Sequence, residues 1–332
     1  MQMPLSSTLK NDYSFIKEKL KIVTELTNKS KELEESYRRN EQKIIELKKQ
    51  ENELTVKLEK NTLDKEDSEK DMARGFSNTF EISKDETKLL REVGRGTFGV
   101  VYEALWRKGK VAVKLIKGDM LSQEDSVKSF LEECMIMKNL RHPNILLFMG
   151  AGTKGPEYFI TTELCEHGNL FELLHNKKNI PIGWEDKKRL ALEIAYGMNY
   201  LHSYKPPILH RDLKSMNVLL NKYWQVKIAD FGNTKFLQMH MTKQKGTFQW
   251  MAPEVILYPN YTEKADVFSF GIIMSELMSR VPPYFGVDKK KVAQQVAQNP
   301  SFRPQIPKNC PRDWADLMRR CWDHSPNKRP SY

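Results

Sequence analysis

The sequence predicts an α+β chain of two lobes, a small β-rich lobe followed by a larger helical one, preceded by a long coiled-coil helix. Three observations predict it. Residues 14–60 carry a heptad repeat of apolar side chains. From Phe80 the pattern changes to β-rich segments joined by glycine-containing turns. From about residue 185 long helical periodicities take over. A small sheet lobe followed by a helical lobe fits that order, and 332 residues allow such a domain plus an extension.

The extension comes first. Between Pro4 and Gly75 there is neither proline nor glycine, and Lys, Glu, Leu and Asn dominate. With position a at Ile16, Val23, Ser30, Tyr37, Ile44, Glu51 and Leu58, position d falls on Lys19, Leu26, Leu33, Asn40, Leu47 and Leu54; nine of these 13 sites are apolar. So narrow a seam cannot bury itself within one helix and asks for a partner helix. A single charged helix in solvent, or folded back on the domain, is the competing reading. Asn40 and Glu51 weaken the seam but can fix register. Residues 1–13 read as a flexible N-terminus. Residues 61–78, "NTLDKEDSEKDMARGFSN", lose the seam, gain acids and read as a linker to a domain spanning 79–332.

The totals exclude several classes. No apolar run is long enough to span a bilayer, and "MQMPLSSTLKNDYSF" lacks the charged and apolar regions of a secretory signal. Cys134, Cys165, Cys310 and Cys321 have no metal-ligand spacing and read as reduced thiols of a cytoplasmic protein. The formal charge is +11, yet residues 11–60 are almost balanced, with 12 Lys/Arg against 11 Asp/Glu. The surplus is spread over the globular part, its largest cluster being Lys289, Lys290 and Lys291. No basic stripe is interleaved with aromatics, so nucleic acid is not an expected partner.

The chemistry lies in short motifs. "GRGTFGVV", Gly94 to Val101, sits between two β-like segments. Its glycines let backbone approach a phosphate chain without Cβ clashes. A dinucleotide-binding turn would be followed by a helix, whereas "VVYEALW" reads as a strand. "VAVKLIK" places Lys114 inside an apolar strand, where a cation needs an anion, carboxylate or phosphate. "VKSFLEECMIMKNLRHPNI" reads as a helix with Phe130, Cys134, Met137 and Leu140 on one apolar face. Glu133 beside that face could reach Lys114 or remain a surface glutamate. "HRDLKSMNVLL" brings Asp212, Lys214 and Asn217 together before a short apolar strand, where a solvated loop is the plain alternative. "IADFGN" puts Asp230 after another such strand, as a metal ligand or an ordinary turn-starting acid. Glu254 in "WMAPEV" and Arg329 in "NKRPSY" could form a buried pair, and Asp266 could cap its helix or hold nearby backbone.

Together these motifs are not accidental. HRD, DFG and APE specify nine letters, and one placement matches by chance with a probability on the order of 10⁻¹², against about 10⁷ ordered placements. Residues 85–332 resemble a eukaryotic protein kinase domain. Trp106 before "VAVK", "NILLFMG", "HRDLKSMN", "GTFQWMAPEV" and "CWDHSPNKRPSY" make it similar to the tyrosine-kinase-like group that includes the Raf and mixed-lineage kinases. The resemblance implies the two-lobed protein kinase fold, with ATP and magnesium as cofactors and protein serine or threonine hydroxyls as acceptors in signal transduction.

It also implies roles. Asp212 accepts or orients the substrate proton, and Lys214 steadies the transferring phosphoryl group. Asn217 and Asp230 hold magnesium, and Lys114, held by Glu133, binds the α- and β-phosphates. Val93, Gly94, Gly96 and Gly99 cover the nucleotide, Val101, Ala112 and Leu219 sandwich the adenine, Thr162 lines the inner wall, and the backbone of Glu163 and Cys165 meets the adenine edge. Met137, Phe148, His210 and Phe231 stack as an apolar column linking the lobes. Lys214 and Thr247 imply serine/threonine specificity. Arg211 implies an activation segment ordered by phosphate on Thr234 or Thr242. The chain stops at Tyr332 directly after "RPSY", where the family normally has one more helix, so a truncated end is expected; Asn233 after DFG is also unusual. A pseudokinase or coiled-coil scaffold that binds nucleotide without efficient transfer is the alternative, weakened by the presence of Lys114, Asp212, Asn217 and Asp230. The coiled coil implies a homodimer through residues 14–60.

Overall fold

The computed structural model describes residues 80–332 except 97–98, 117–123, 155–156, 232–247 and 259, together with Lys29, Arg39, Gln42, Lys43 and Glu46. Those five are helical and exposed, and none is an a or d position of the heptad. The seam, residues 1–13 and the linker 61–78 lie outside the described residues, as do Thr234, Thr242 and Thr247. The chain divides into two units, Met1–Arg74 and Gly75–Tyr332; all elements named below belong to the second.

Five antiparallel strands form the first sheet: β1 (Thr87–Arg95), β2 (Gly99–Trp106), β3 (Gly109–Ile116), β4 (Phe148–Gly152) and β5 (Phe159–Glu163), in the order β1-β2-β3-β5-β4. Alternation shapes β3. Val111 and Val113 are buried on one face, where they pack with Ile82, Ala104 and Phe159, and Ala112 and Lys114 face the other way. The β2–β3 turn has only two residues, Arg107 and Lys108, both left-handed with φ of 48° and 68°. That geometry matches the strand twist, but neither residue is one that favours it, so the sequence carried no turn signal there.

Helix α1 (Glu124–Met137) follows β3 and buries Phe130, Cys134 and Met137. The helical reading of this region overshoots. The helix ends at Met137, where Asn139 Nδ2 donates to the Met135 carbonyl at 3.2 Å. Pro143 disfavours helical backbone at His142, so the chain runs on irregularly to Leu140, which is buried in the same core.

The second lobe is mainly helical, with a small sheet of β6 (Gly168–Asn169), β7 (Val218–Leu220) and β8 (Val226–Ile228) at its top. Helix α2 (Leu170–His175) is capped by Asn169, whose side chain accepts from Glu172 N–H; α3 (Trp184–His202) has Asp186 reaching back to Gly183 N–H. Then come α4 (Pro253–Leu257), α5 (Lys264–Ser279), α6 (Lys289–Gln298) and α7 (Arg312–Cys321). Every residue of α5 from Ala265 to Leu277 is buried, so this helix is the pillar of the lobe. Gly271 lets α7 come close, since a Cβ there would stand 3.0 Å from Cys321 Cβ. Among the described residues no helix is long and apolar enough to cross a membrane.

One core runs through both lobes. Met137, Phe148 and Phe231 share it, and the His210 ring lies 5.4 Å from that of Phe231. Of the expected column, His210 and Phe231 are in ring contact, Met137 and Phe148 lie in the same core, and the Phe80 ring is 5.9 Å from that of Phe148.

The expected Glu254–Arg329 pair also forms. Both guanidinium ends meet the carboxylate, at 2.5 and 2.9 Å, and the remaining donors reach carbonyls of Asp323, His324 and Lys264. The arginine is buried, so removing it strands a carboxylate in a low-dielectric site. Arg329→Ala should cost about 3–5 kcal/mol. Chemical denaturation of wild type and variant measures this, and a loss under about 1 kcal/mol would show the pair to be incidental.

Candidate active site

The loop "HRDLKSMN" is held from behind. Asp266, buried at the start of α5, accepts the backbone N–H groups of His210 and Arg211, each at 2.9 Å, and His202 Nε2 at 2.9 Å. Arg211 needs that hold, because its φ of 66° lies in the left-handed region that a bulky side chain disfavours. His210 Nε2 also meets the Ala229 carbonyl at 3.0 Å, and Ala229 N–H donates to the Asn217 carbonyl at 2.9 Å. The loop is thereby tied to the end of β8, where Asp230 follows with φ of 70°.

These ties gather the polar side chains. Lys214 Nζ lies 2.6 Å from Asp212 Oδ2, and Asn217 Nδ2 donates to the Asp212 carbonyl at 2.9 Å and to Oδ2 at 3.2 Å. Burial pushes the Asp212 carboxyl up; Lys214 opposes this and Asp230 adds to it. The acid is thus closer to accepting a proton at neutral pH than an exposed aspartate would be. Asn217 uses its amide nitrogen on Asp212, which leaves Oδ1 as its donor atom for a cation.

Lys114 reaches the same region from the sheet. Strand register pairs it with Val101 on β2 and Ile160 on β5. Its Nζ is 3.3 and 3.4 Å from the two oxygens of Glu133 on α1, and 3.8 Å from Asp230 Oδ1. Burial works against the ammonium, but Glu133 and Asp230 outweigh it and hold Lys114 above its ordinary value, so it stays cationic. Of the readings open for Glu133, the surface glutamate is excluded.

The remaining predicted residues fall where strand pairing puts them. Ala112 faces Thr162 across β3–β5, Gly94 faces Val101 across β1–β2, and Leu219 lies in β7 opposite Lys227 of β8. Gly96 N–H donates to the Gly99 carbonyl at 2.9 Å, while Thr97 and Phe98 at the loop tip lie outside the described residues. A Cβ on Gly99 would stand 2.1 Å from the Leu115 carbonyl oxygen, so only glycine fits this backbone. Val93 is exposed on β1. Thr162 is buried, and Cys165 is half-buried just beyond β5, with its carbonyl accepting Gly168 N–H at 3.2 Å.

Sequence reasoning missed two buried charges. Lys227 of β8 pairs with Glu163 Oε1 at 2.9 Å, and the same oxygen accepts Leu147 N–H at 2.8 Å. The Glu163 side chain therefore ties the backbone just before β4 to β8 of the other lobe. Glu276 is the other: a lone acid inside the apolar run of α5, fully buried and bonded to His175, Ser215 and Trp250. An acid at that place in "FSFGIIMSEL" was the available signal.

Asp266 yields a pH dependence. Burial alone would raise its carboxyl, but the His202 and backbone hydrogen bonds prevail and hold it below the usual range. The folded state therefore favours the ionised form. That stabilisation is complete above the unfolded value, at about pH 4, and is lost as pH falls through the lower folded value. Asp266→Asn should destabilise the protein at neutral pH, and its deficit against wild type should shrink on acidification below about pH 4. Denaturant midpoints across that range test this; a deficit that does not change with pH would contradict it.

Comparison with known proteins agrees with this geometry. A probable serine/threonine-protein kinase of Dictyostelium discoideum is 42% identical over 259 residues, covering 77% of this chain and 28% of the relative. Another from that organism, drkB, is 41% identical over 76% of this chain and 36% of its own length. The serine/threonine-protein kinase CTR1 of Arabidopsis thaliana is 41% identical over 74% of this chain and 30% of its own. The chain thus spans roughly a third of the length of these curated relatives. Residues 87–332 match the protein tyrosine and serine/threonine kinase family, and with the sheet, the helical lobe and the polar cluster between them described above, the chain belongs to that family.

Proposed function

We propose that this protein is a serine/threonine kinase that transfers the γ-phosphoryl group of ATP to protein hydroxyls with the help of magnesium. The observation that carries the reading is the cluster of Asp212, Lys214 and Asn217, faced by Asp230 and the Glu133-held Lys114. Phosphoryl transfer asks for positioning and charge neutralisation more than for covalent chemistry, and these groups supply both. Lys114, kept cationic, takes the α- and β-phosphates. Asp212, with its raised carboxyl, takes the acceptor hydroxyl's proton, and Lys214 beside it counters charge on the phosphoryl oxygens.

The donor set fits magnesium. Among the described residues no group of three or more His, Cys, Asp or Glu could hold a metal by itself. Asp230 and Asn217 Oδ1 offer two hard oxygens, the small protein share expected where phosphates and water complete the shell. Bound there, the ion would neutralise phosphate charge. Val101, Ala112 and Leu219 supply apolar faces for the base, with Val93, Gly94, Gly96 and Gly99 above the phosphates. The Cys165 carbonyl accepts Gly168 N–H and the Glu163 carbonyl accepts the Thr162 hydroxyl at 3.2 Å, and we assign the backbone of both residues to the adenine edge.

Serine/threonine specificity is supported by Lys214, by Thr247 in the sequence and by the names of the relatives. Assignment to the tyrosine-kinase-like group rests on the quoted motifs. Four free thiols suit a cytoplasmic protein. The heptads of 14–60 support a parallel homodimer. Dimerisation would bring one activation segment to the other active site for phosphorylation of Thr242, whose phosphate would pair with Arg211.

Asp212→Asn should lower phosphoryl transfer to a generic serine/threonine substrate by about 10²–10⁴-fold while leaving ATP affinity within about threefold. Labelled-phosphate transfer and nucleotide titration measure the two, and near-wild-type turnover would refute the assignment. For the extension, sedimentation should find the full chain dimeric at micromolar concentration and a chain beginning at Asn78 monomeric. Autophosphorylation of the full chain should be the faster at low concentration. A monomeric full chain rejects the dimer, and equal rates reject its activating role.

A further inference from the structure

Glu276 lies on α5, fully buried, and takes no part in the chemistry proposed above. Its Oε1 accepts the Ser215 hydroxyl at 2.8 Å and His175 Nε2 at 2.9 Å; its Oε2 accepts the Trp250 indole N–H at 2.7 Å. One carboxylate thus joins four parts of the lobe. His175 ends α2. Ser215 opens the 3₁₀ turn Ser215–Asn217, between Lys214 and Asn217. Trp250 closes the 3₁₀ turn Phe248–Trp250, directly after segment 232–247, and its carbonyl accepts the Ser269 hydroxyl of α5 at 2.8 Å.

The two carboxylate oxygens have different partners. An indole N–H can only donate, so Oε2 must accept. His175 Nε2 faces Oε1, and its Nδ1 is buried with no hydrogen-bond partner among the described residues. Burial pushes the Glu276 carboxyl up, and His175, Trp250 and Ser215 act against that. Phe171 closes the apolar side, its ring 4.4 Å from His175 and 6.4 Å from Trp250.

A buried carboxylate is a costly way to join helices that are otherwise apolar; apolar side chains in place of it and its donors together would join them at lower cost. What the carboxylate adds is a shared acceptor. Loss of either Trp250 or Ser215 leaves it undersatisfied, and the hold on the other donor changes, because bonds to one acceptor in a low-dielectric site are not independent. The two donors lie on opposite sides of the reacting centre in sequence. One flanks the groups that surround Asp212; the other ends the segment that leads from Asp230 to Glu254.

We propose that Glu276 is a positioning residue that couples the end of the activation segment to the catalytic loop. Docking of the Trp250 indole on Oε2 fixes the carboxylate, the carboxylate fixes the Ser215 hydroxyl, and the turn carrying Ser215 sets Lys214 and Asn217 around Asp212. Glu276 touches no substrate and acts only through Ser215. The inference deepens the kinase reading and rests on it.

A kinetic cycle on the full chain tests it, with ATP and a generic serine/threonine substrate. Ser215→Ala and Trp250→Phe each remove one donor and keep the carboxylate. Each should lower kcat by about tenfold with KM for ATP changed by less than about twofold, the split expected of a group that positions the reacting atoms rather than binds nucleotide. The double variant should lose little more than either single, since both act through one acceptor. Glu276→Gln should show the same loss of kcat; if it does not fold, the two donor variants decide alone. Losses that multiply in the double variant, or a rise in KM with kcat intact, overturn the inference while an active wild type preserves the kinase reading. A wild type that transfers no phosphate removes that reading and the inference with it.

Discussion

Two backbone N–H groups bound to one buried carboxylate set the terms for the rest of the structure. Asp266 fixes the peptides of His210 and Arg211 and lets Arg211 keep a left-handed backbone that its side chain disfavours. From that point the chain reaches Asp212, Lys214 and Asn217 within seven residues, so their placement depends on the anchor before it depends on their own contacts. The anchor works because α5 is buried almost all round and cannot shift: an acid on a loose helix would follow the loop rather than hold it. Rigid support behind a set of polar groups is the general condition for preorganised charge.

The buried charges of the lobe are distributed by the same logic. Glu254 meets Arg329, Lys227 meets Glu163, Lys114 meets Glu133, and Glu276 is shared among three donors. None is left as a bare ion, which would be prohibitive in so apolar an interior. Each also spans segments far apart in sequence, so the polar ties are long-range and the apolar core supplies the bulk of cohesion between them. Lys114 differs in having a second carboxylate, Asp230, at the edge of its reach. Three charges in that small space leave one negative charge in excess, a natural partner for a divalent cation.

Much of this was legible in the sequence. The strand-to-helix order, the grouping of Asp212 with Lys214 and Asn217, and the Glu254–Arg329 pair could be read from the motifs, whereas the Lys114–Glu133 contact was expected only through the kinase resemblance, since Glu133 on its own reads equally as a surface acid. The end of α1 was not. The apolar period continues to Leu140, but the helix ends at Met137, with the Asn139 side chain on the Met135 carbonyl. Arg107 and Lys108 gave no hint of a left-handed two-residue turn, since tertiary pairing of β2 with β3 imposes it. Glu276 and Lys227 were missed for a common reason. Their partners come from distant segments, and a single charge in an apolar run says that something must satisfy it without saying what.

Cys165 illustrates how position governs reactivity. Its thiol is half-buried just past β5; burial, with Glu163 adding to it, pushes its pKa up to about 12. At neutral pH the side chain is therefore held as the thiol. Since the thiolate is the nucleophile, an electrophile delivered to this edge would find a poor reaction partner despite its proximity. Covalent capture at this residue would first have to strip away the surroundings that keep the sulfur protonated.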